Sequence, residues 1–347
     1  VKIYGTLVQF GHYTGWTGSD KLTAVNSFGD IGLTSLSGAF INSDNLNSIP
    51  SSLPTSITDL SNLFENINQV SITNLTNWDV SNAQNMEQMF LNASNFNQDI
   101  SGWNVSSATH MRAMFSGASS FNQPIGNWER SGSTVGNVST METMFTNASS
   151  FNQDISSWDV SSVGNMNAMF EGASSFNSDI STWDVSNVTD MNSMFKGAAA
   201  FNQNLNSWDV SSVTDMTYMF NDATSFNGDI SNWNVSSVTT MDRMFNGASS
   251  FNQDISVWNI RNVTDMSFMF SNISLSTANY DSLLTGWASQ SVQSGVTFHG
   301  GSSNYTSEGS TGRQTLVNDN SWSISDGGQI FKPTVTTDTI TNVTNTS

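Results

Sequence analysis

Tryptophan recurs along this chain almost like a ruler mark, at Trp78, Trp103, Trp128, Trp158, Trp183, Trp208, Trp233 and Trp258, at intervals of 25, 25, 30, 25, 25, 25 and 25 residues. A Met-Phe pair keeps step with it, from Met89-Phe90 to Met269-Phe270, and a Phe-Asn pair follows six residues later, from Phe96 to Phe251. Each of the eight clear units holds two methionines, which together account for all 16 in the chain. A fixed period of this length marks a repeat whose single unit cannot bury its own apolar face, so that neighbouring units must stack.

Within one unit, Val188, Met191, Met194, Phe195 and Ala198 lie at spacings that suit the apolar face of a short helix. Asn187 with Asp190 suits its N-terminus, and Gly197 with its equivalents Gly117, Gly172 and Gly247 suits its end. Phe201 then turns inward. Leu205, Trp208 and Val210 follow in the apolar-x-x-apolar-x-apolar order of a leucine-rich-repeat strand. Stacking places Asn97, Asn122, Asn152, Asn177, Asn202, Asn227 and Asn252 in a column expected to be an internal ladder that satisfies turn backbone groups. Degenerate units around Phe40 and Phe64, with Leu36 and Leu60 in methionine positions, extend the array upstream.

The fold expected is therefore an α/β solenoid, a leucine-rich-repeat-like stack of about ten short helix–strand units with N- and C-terminal caps and a strand-like tail. Residues 1–32 read as an N-terminal strand and cap region, 33–275 as the array, 276–328 as a C-terminal cap and 329–347 as an extended tail. In the cap, residues 280–287 read as a helix, Val296–Phe298 as a strand, and residues 315–324 as a helix end followed by a strand.

Composition limits the function. The chain carries 28 acidic and 9 basic residues, a net charge of −19, which argues against a nucleic-acid partner. It has no cysteine, so disulfides, thiolate metal sites and cysteine nucleophiles are excluded. No apolar run is long enough for membrane insertion. His12, His110 and His299 are far apart in sequence, and the acids recur with the period, so neither a catalytic group nor a metal site is expected. No cofactor fingerprint is present. The chain opens on Val1-Lys2-Ile3-Tyr4-Gly5-Thr6-Leu7, which reads as a strand already under way, as in a mature or trimmed product.

The run Met-Phe-x-Gly-Ala-Ser-Ser-Phe-Asn-Gln-Asp-Ile-Ser-Ser-Trp-Asp-Val, seen in Phe151–Ile155 and Trp158–Val160, resembles the BspA-type leucine-rich-repeat surface proteins, which have relatives among mycoplasma lipoproteins. The resemblance covers residues 1–328. Tyr280-Asp281 with Gly286-Trp287, and Trp322 with Asp326-Gly327-Gly328, resemble the family's cap, and the opening strand resembles the last strand of a PKD-like sandwich. It implies a secreted or surface-anchored, non-enzymatic protein with an adhesive role, and supplies no catalytic residue. The unit between Trp128 and Trp158 departs from it by five extra residues, where Arg130 is expected to replace the inward valine.

Three sets of residues remain as candidates for function. Asp79, Asn104, Glu129, Asp159, Asp184, Asp209, Asn234 and Asn259 should form a polar stripe on the strand face, read either as a solvated surface or as a face for a host protein or glycan. Phe331, Val335 and Ile340 alternate in the tail as an assembly strand that would join the first sheet of another copy, giving a head-to-tail homopolymer. Asn74, Asn92, Asn187, Asn262, Asn272, Asn304 and Asn342 head Asn-x-Ser/Thr glycosylation acceptors. The function expected is that of an extracellular structural subunit; the rival is a monomeric adhesin using the polar stripe.

Overall fold

The computed structural model describes residues 6–69, 71–129 and 135–331. In the unit containing Met191 the backbone is a succession of β-turns. Met194 N–H donates to Met191 C=O (3.2 Å), Lys196 to Ser193 (3.1 Å), Ala198 to Phe195 (3.0 Å), Phe201 to Ala198 (3.0 Å), Trp208 to Leu205 (3.0 Å) and Val213 to Val210 (3.0 Å). A β-turn brings its first and fourth residues close together while the two between them bulge outward. Met191 with Met194, Ala198 with Phe201, Leu205 with Trp208 and Val210 with Val213 are accordingly all buried. The three-residue spacing that suggests a helix is here the span of a turn.

The N–H groups left over by those turns point along the stack. Ser193, Phe195 and Gly197 donate to Thr217, Met219 and Asn221 of the next coil at 2.9, 2.9 and 2.7 Å. Alternate amides thus close a turn or join two coils, a division no α-helix allows, since a helix commits every interior N–H to its own i−4 carbonyl. The alternation is set by two left-handed residues per coil. One column reads Asn62, Gln88, Ala113, Thr143, Ala168, Ser193, Tyr218, Arg243 and Phe268, with φ between 52° and 59°. The other reads Asn42, Asn66, Asn92, Gly117, Asn147, Gly172, Gly197, Asp222, Gly247 and Asn272, with φ between 56° and 74°. Glycine, asparagine and aspartate are the residues that tolerate this conformation, so Gly197 serves a left-handed turn and not a helix end.

The α/β solenoid of about ten helix–strand units is therefore overturned. Among the described residues the two α-helices are α1 (Thr277–Ala288) and α2 (Ser307–Asn318), both downstream of the repeats. The strands are of two or three residues: β1 (Asp265–Met266), β2 (Thr297–His299), β3 (Asn304–Tyr305), β4 (Ser323–Ser325) and β5 (Gly328–Gln329). The segment Leu205–Val210, expected as a leucine-rich-repeat strand, holds turns instead. Earlier coils meet through single-residue parallel bridges, in the series Gln9, Ser35, Asp59, Asn85, His110 and again Thr140, Asn165, Asp190, Asp215, Thr240, Asp265. Residues 6–32 form the first coil, joined to the second by Phe10 N–H to Ser35 C=O (3.2 Å) and Thr34 N–H to Val8 C=O (2.8 Å).

Aromatic columns fill the interior. Phe64, Phe90, Phe115, Phe145, Phe170, Phe195, Phe220, Phe245 and Phe270 stack at 5.5–5.7 Å between ring centres, within 15° of parallel. A second column, Phe96 to Phe251, stacks at 5.8–6.1 Å. Phe40 stacks on Phe64 at 5.6 Å and 30°, and the extended column is closed edge-on by Phe10 against Phe40 (61°) and by Phe298 against Phe270 (84°). Tryptophans bond their one polar atom to the preceding coil: Trp183, Trp208, Trp233 and Trp258 Nε1 donate to Ile155, Ile180, Leu205 and Ile230 C=O at 2.8–3.1 Å. Trp103 Nε1 is buried without a partner.

The five extra residues do not interrupt this packing. Trp128 and Trp158 stack at 6.0 Å and 2° across them, and Phe115 and Phe145 at 5.7 Å. The inward valine position, expected to fall to Arg130, is filled by Val135, which is fully buried and accepts from Val138 N–H as Val210 does from Val213. Residues 130–134 lie outside the described residues.

Downstream, β1, β2 and β4 form a parallel sheet that prolongs the bridge column, and β3 pairs with β5. Ser276 and Thr306 cap α1 and α2 through Asn279 N–H and Glu308 N–H. The buried Asp281 carboxylate ties the two helices together, accepting from Thr306 N–H (2.8 Å), Thr306 Oγ1 (2.7 Å) and Gly309 N–H (3.1 Å).

Replacing Phe195, which stacks on Phe170, Phe201 and Phe220, by alanine should lower unfolding free energy by about 3–5 kcal/mol. Urea unfolding followed by tryptophan fluorescence measures this loss; a change below about 1 kcal/mol would mean that the column is not load-sharing at that coil.

Candidate functional surface

The polar stripe lies on the rim of the turns. Asp79, Asn104, Asp159, Asp184, Asp209, Asn234 and Asn259 are exposed, one to a coil, each immediately before a turn and none within a strand. Glu129 closes a short 3-10 helix, Ile125–Glu129. The side chains of the other seven are engaged locally. Asp184 Oδ1 accepts from Ser186 N–H (3.1 Å) and Ser186 Oγ (2.6 Å), and Asp159 repeats this with Ser161. Asp79, Asn104, Asp209, Asn234 and Asn259 accept from the backbone N–H two residues ahead in the same way. These are Asx-turns, in which a short side chain replaces a backbone carbonyl as the closing acceptor.

Two further columns make the same turn. Asp99, Asp179, Asp229 and Asp254 accept from Ser101, Ser181, Ser231 and Ser256. In the bridge column Asp190, Asp215 and Asp265 accept from Asn192, Thr217 and Ser267. Most of the repeated acids are thus turn formers, and the negative surface is their by-product. Hydroxyl and amide donors from Ser81, Ser101, Ser186 and Ser211 hold the carboxyls of Asp79, Asp99, Asp184 and Asp209 below the usual carboxylate range.

The asparagine column is a ladder between coils, but it lies at the surface and not inside as expected. Asn97 Oδ1 accepts from Asn122 N–H, and the contact repeats from Asn122 to Asn152, Asn177, Asn202, Asn227 and Asn252 at 2.8–3.0 Å. The glycosylation candidates are likewise engaged. Asn74, Asn187 and Asn262 donate their amide Nδ2 to the carbonyls of Ile49, Ser161 and Ser236; Asn92 and Asn272 donate to Asn66 and Asn246 Oδ1; Asn304 donates to Gly327 C=O. Asn342, Val335 and Ile340 lie outside the described residues, while Phe331 is 86% exposed.

The three histidines remain apart. His12 pairs with Thr14, His110 with Thr109, and His299 stacks on Phe268. Among the described residues no group of three or more His, Asp or Glu gathers in metal-holding geometry. Asp326, a partly buried residue whose side chain is 3% exposed, accepts from Tyr280 Oη (2.9 Å) and Arg313 Nε (2.8 Å), and burial with this neighbour raises the Tyr280 pKa, keeping it a neutral donor that clamps the cap.

Sequence reasoning passed over two features. On the left-handed column, Arg243 lies between the Tyr218 and Phe268 rings, 5.3 and 4.5 Å from their centres, continuing to His299 on one side and Lys196 on the other. These groups stack on one another along the axis. The second is a cleft of about 690 Å³ between the last tryptophan coil and α1, lined by Ser256, Val257, Asn259, Arg261, Gly286 and the 289–291 segment. The signal for it was present as two departures from the repeat, Val257 and Arg261.

One family model matches three times, over residues 34–135, 131–226 and 202–309. Its description is Mycoplasma protein of unknown function, DUF285. The chain belongs to this family. The overlapping matches agree with the repeat seen in both sequence and structure, so this DUF285 member is a repeat protein. A search of curated proteins finds no match.

The Asx-turns predict a pH dependence. A carboxyl whose folded pKa is depressed contributes its stability fully above its unfolded pKa, about 3.9, and loses it as pH falls through the lower folded value. Replacing Asp79, Asp99, Asp184 and Asp209 by asparagine keeps the turn acceptor, as Asn104, Asn204 and Asn234 do naturally. The urea midpoint of the quadruple variant should fall less than that of the parent between pH 5 and about 2.5. Equal slopes would contradict the assignment.

Proposed function

We propose that this chain is a non-enzymatic structural protein of the cell surface, a stiff spacer whose copies join end to end through their terminal strands. The observation that carries the reading is where apolar surface remains. Of the seven large apolar side chains exposed among the described residues, Val8, Tyr13 and Trp16 lie in the first coil and Ile330 and Phe331 beyond the last strand. Val257 and Phe268 stand singly on the flanks between, which are otherwise covered by Asx-turns and asparagine ladders whose polar groups bond within the chain. Apolar side chains left exposed at the two ends offer surface for a contact between copies. A contact between unlike ends propagates as a filament. In this reading the segment holding Phe331, Val335 and Ile340 adds as a strand to the first coil of the next copy.

The resemblance of the repeat to BspA-type surface proteins supports placing the chain outside the cell. No described helix is long and apolar enough to cross a membrane. The rival, a monomeric adhesin that grips a host protein or glycan through the polar stripe, has weaker support, because those side chains already serve their own turns.

Negative-stain electron microscopy and sedimentation of the full chain across a concentration series test the proposal. Filaments or rod-like oligomers are expected, and Tyr13→Lys and Phe331→Lys should each reduce them strongly while leaving the folded coil intact. Single particles at the highest concentration reached would overturn it.

A further inference from the structure

The repeat serves as its own control experiment. The residue before each tryptophan reads Asn77, Gly102, Asn127, Ser157, Thr182, Ser207 and Asn232, then Val257. The position three beyond the tryptophan reads Ser81, Ser106, Ser161, Ser186, Ser211 and Ser236, with Gly136 in the expanded unit, then Arg261. Seven coils show that the fold is satisfied there by small residues. Neither a branched apolar side chain nor a guanidinium is needed to build a coil, yet the last one carries both, and both line the same cleft against α1.

The two side chains also lack the partners that would make them structural. Val257 is 73% exposed, and Arg261 is exposed with no ion pair to any described residue. By contrast Arg112, Lys196, Arg243 and Arg313 each hold a carboxylate. Lys21 also holds no carboxylate, but among the described arginines Arg261 stands alone in this. The walls around it are fixed. Gln290 from the end of α1 binds Ile260 N–H and Trp258 C=O, and Gln293 binds Arg261 C=O, so the backbone carrying Arg261 is held from both sides.

We propose that this cleft binds a monocarboxylate bearing a short aliphatic arm, with the carboxylate on the Arg261 guanidinium and the arm against Val257. Guanidinium and carboxylate match in a two-point fork. A single negative charge suits the site better than an acidic polymer, which the rest of the surface would repel. The ligand is either a free aliphatic acid or the C-terminal residue of another protein, which share this chemistry.

Titration calorimetry on the full 347-residue protein with N-acetyl-leucine, N-acetyl-leucinamide and a hexapeptide ending in leucine carboxylate tests the proposal. N-acetyl-leucine should bind saturably with a dissociation constant on the order of 1 mM, more weakly at high salt, and the amide at least about tenfold more weakly. Arg261→Ser and Val257→Ser restore the residue type of other coils and should fold as the parent does, yet each should weaken binding about tenfold or more. Tighter binding of the hexapeptide would identify a protein C-terminus as the source, and equal binding a free acid. Absence of saturable binding, or affinity unchanged in both variants, would overturn the proposal.

Discussion

The structure rests on the division of backbone N–H groups between two directions. In each coil one set closes β-turns with the carbonyl three residues back, and the alternate set crosses to the next coil, as from Ser193 to Thr217 and from Phe195 to Met219. Neither set alone makes a stable object. Isolated turns are marginal, and the crossing bonds need a neighbour already in register. Together they satisfy the backbone without long strands or helices, which lets a chain rich in serine, asparagine and glycine bury a continuous core. The cost is conformational, since each coil must hold two residues at positive φ.

Side-chain roles follow from this backbone. Because the first and fourth residues of a turn face inward, aromatic rings fall into register coil after coil and stack near 5.6 Å. Because the turns need closing acceptors, aspartate and asparagine gather at turn starts. The acidity of the surface therefore originates in local geometry. The C-terminal unit changes style. Helices α1 and α2 and the parallel strands β1, β2 and β4 continue the core and cover its last ring, Phe270, with Phe298.

Much of this was legible in the sequence, and the part that was not has a definite cause. The period, the buried tryptophan, methionine and phenylalanine columns, the asparagine ladder and the helix near residues 280–287 could be read directly, because burial and register are encoded in residue type. The helix across Val188–Ala198 was misread because Met191, Met194, Phe195 and Ala198 meet helical spacing and turn spacing equally well. What separated the two was the polar set between them. Asn192, Ser193 and Gly197 are poor helix formers, and the column running Asn92, Gly117, Asn147, Gly172, Gly197, Asp222 and Gly247 is a left-handed signature. The cleft was missed because repeats draw attention to what recurs, while Val257 and Arg261 matter as exceptions. The Asx role of Asp184 and its equivalents was hidden because an alternating pattern makes any polar residue look like a solvated strand face.

Substitution at the first left-handed column tests the turn-built backbone most directly. Thr143 is β-branched and sits at φ 54°, a conformation costly for its shape. Glycine removes that cost, so Thr143→Gly should raise unfolding free energy by about 0.5–1 kcal/mol in urea titration. In a helix the same change would lower it by a few tenths of a kcal/mol, roughly the difference in helix propensity. A clear loss of stability in Thr143→Gly would contradict the account.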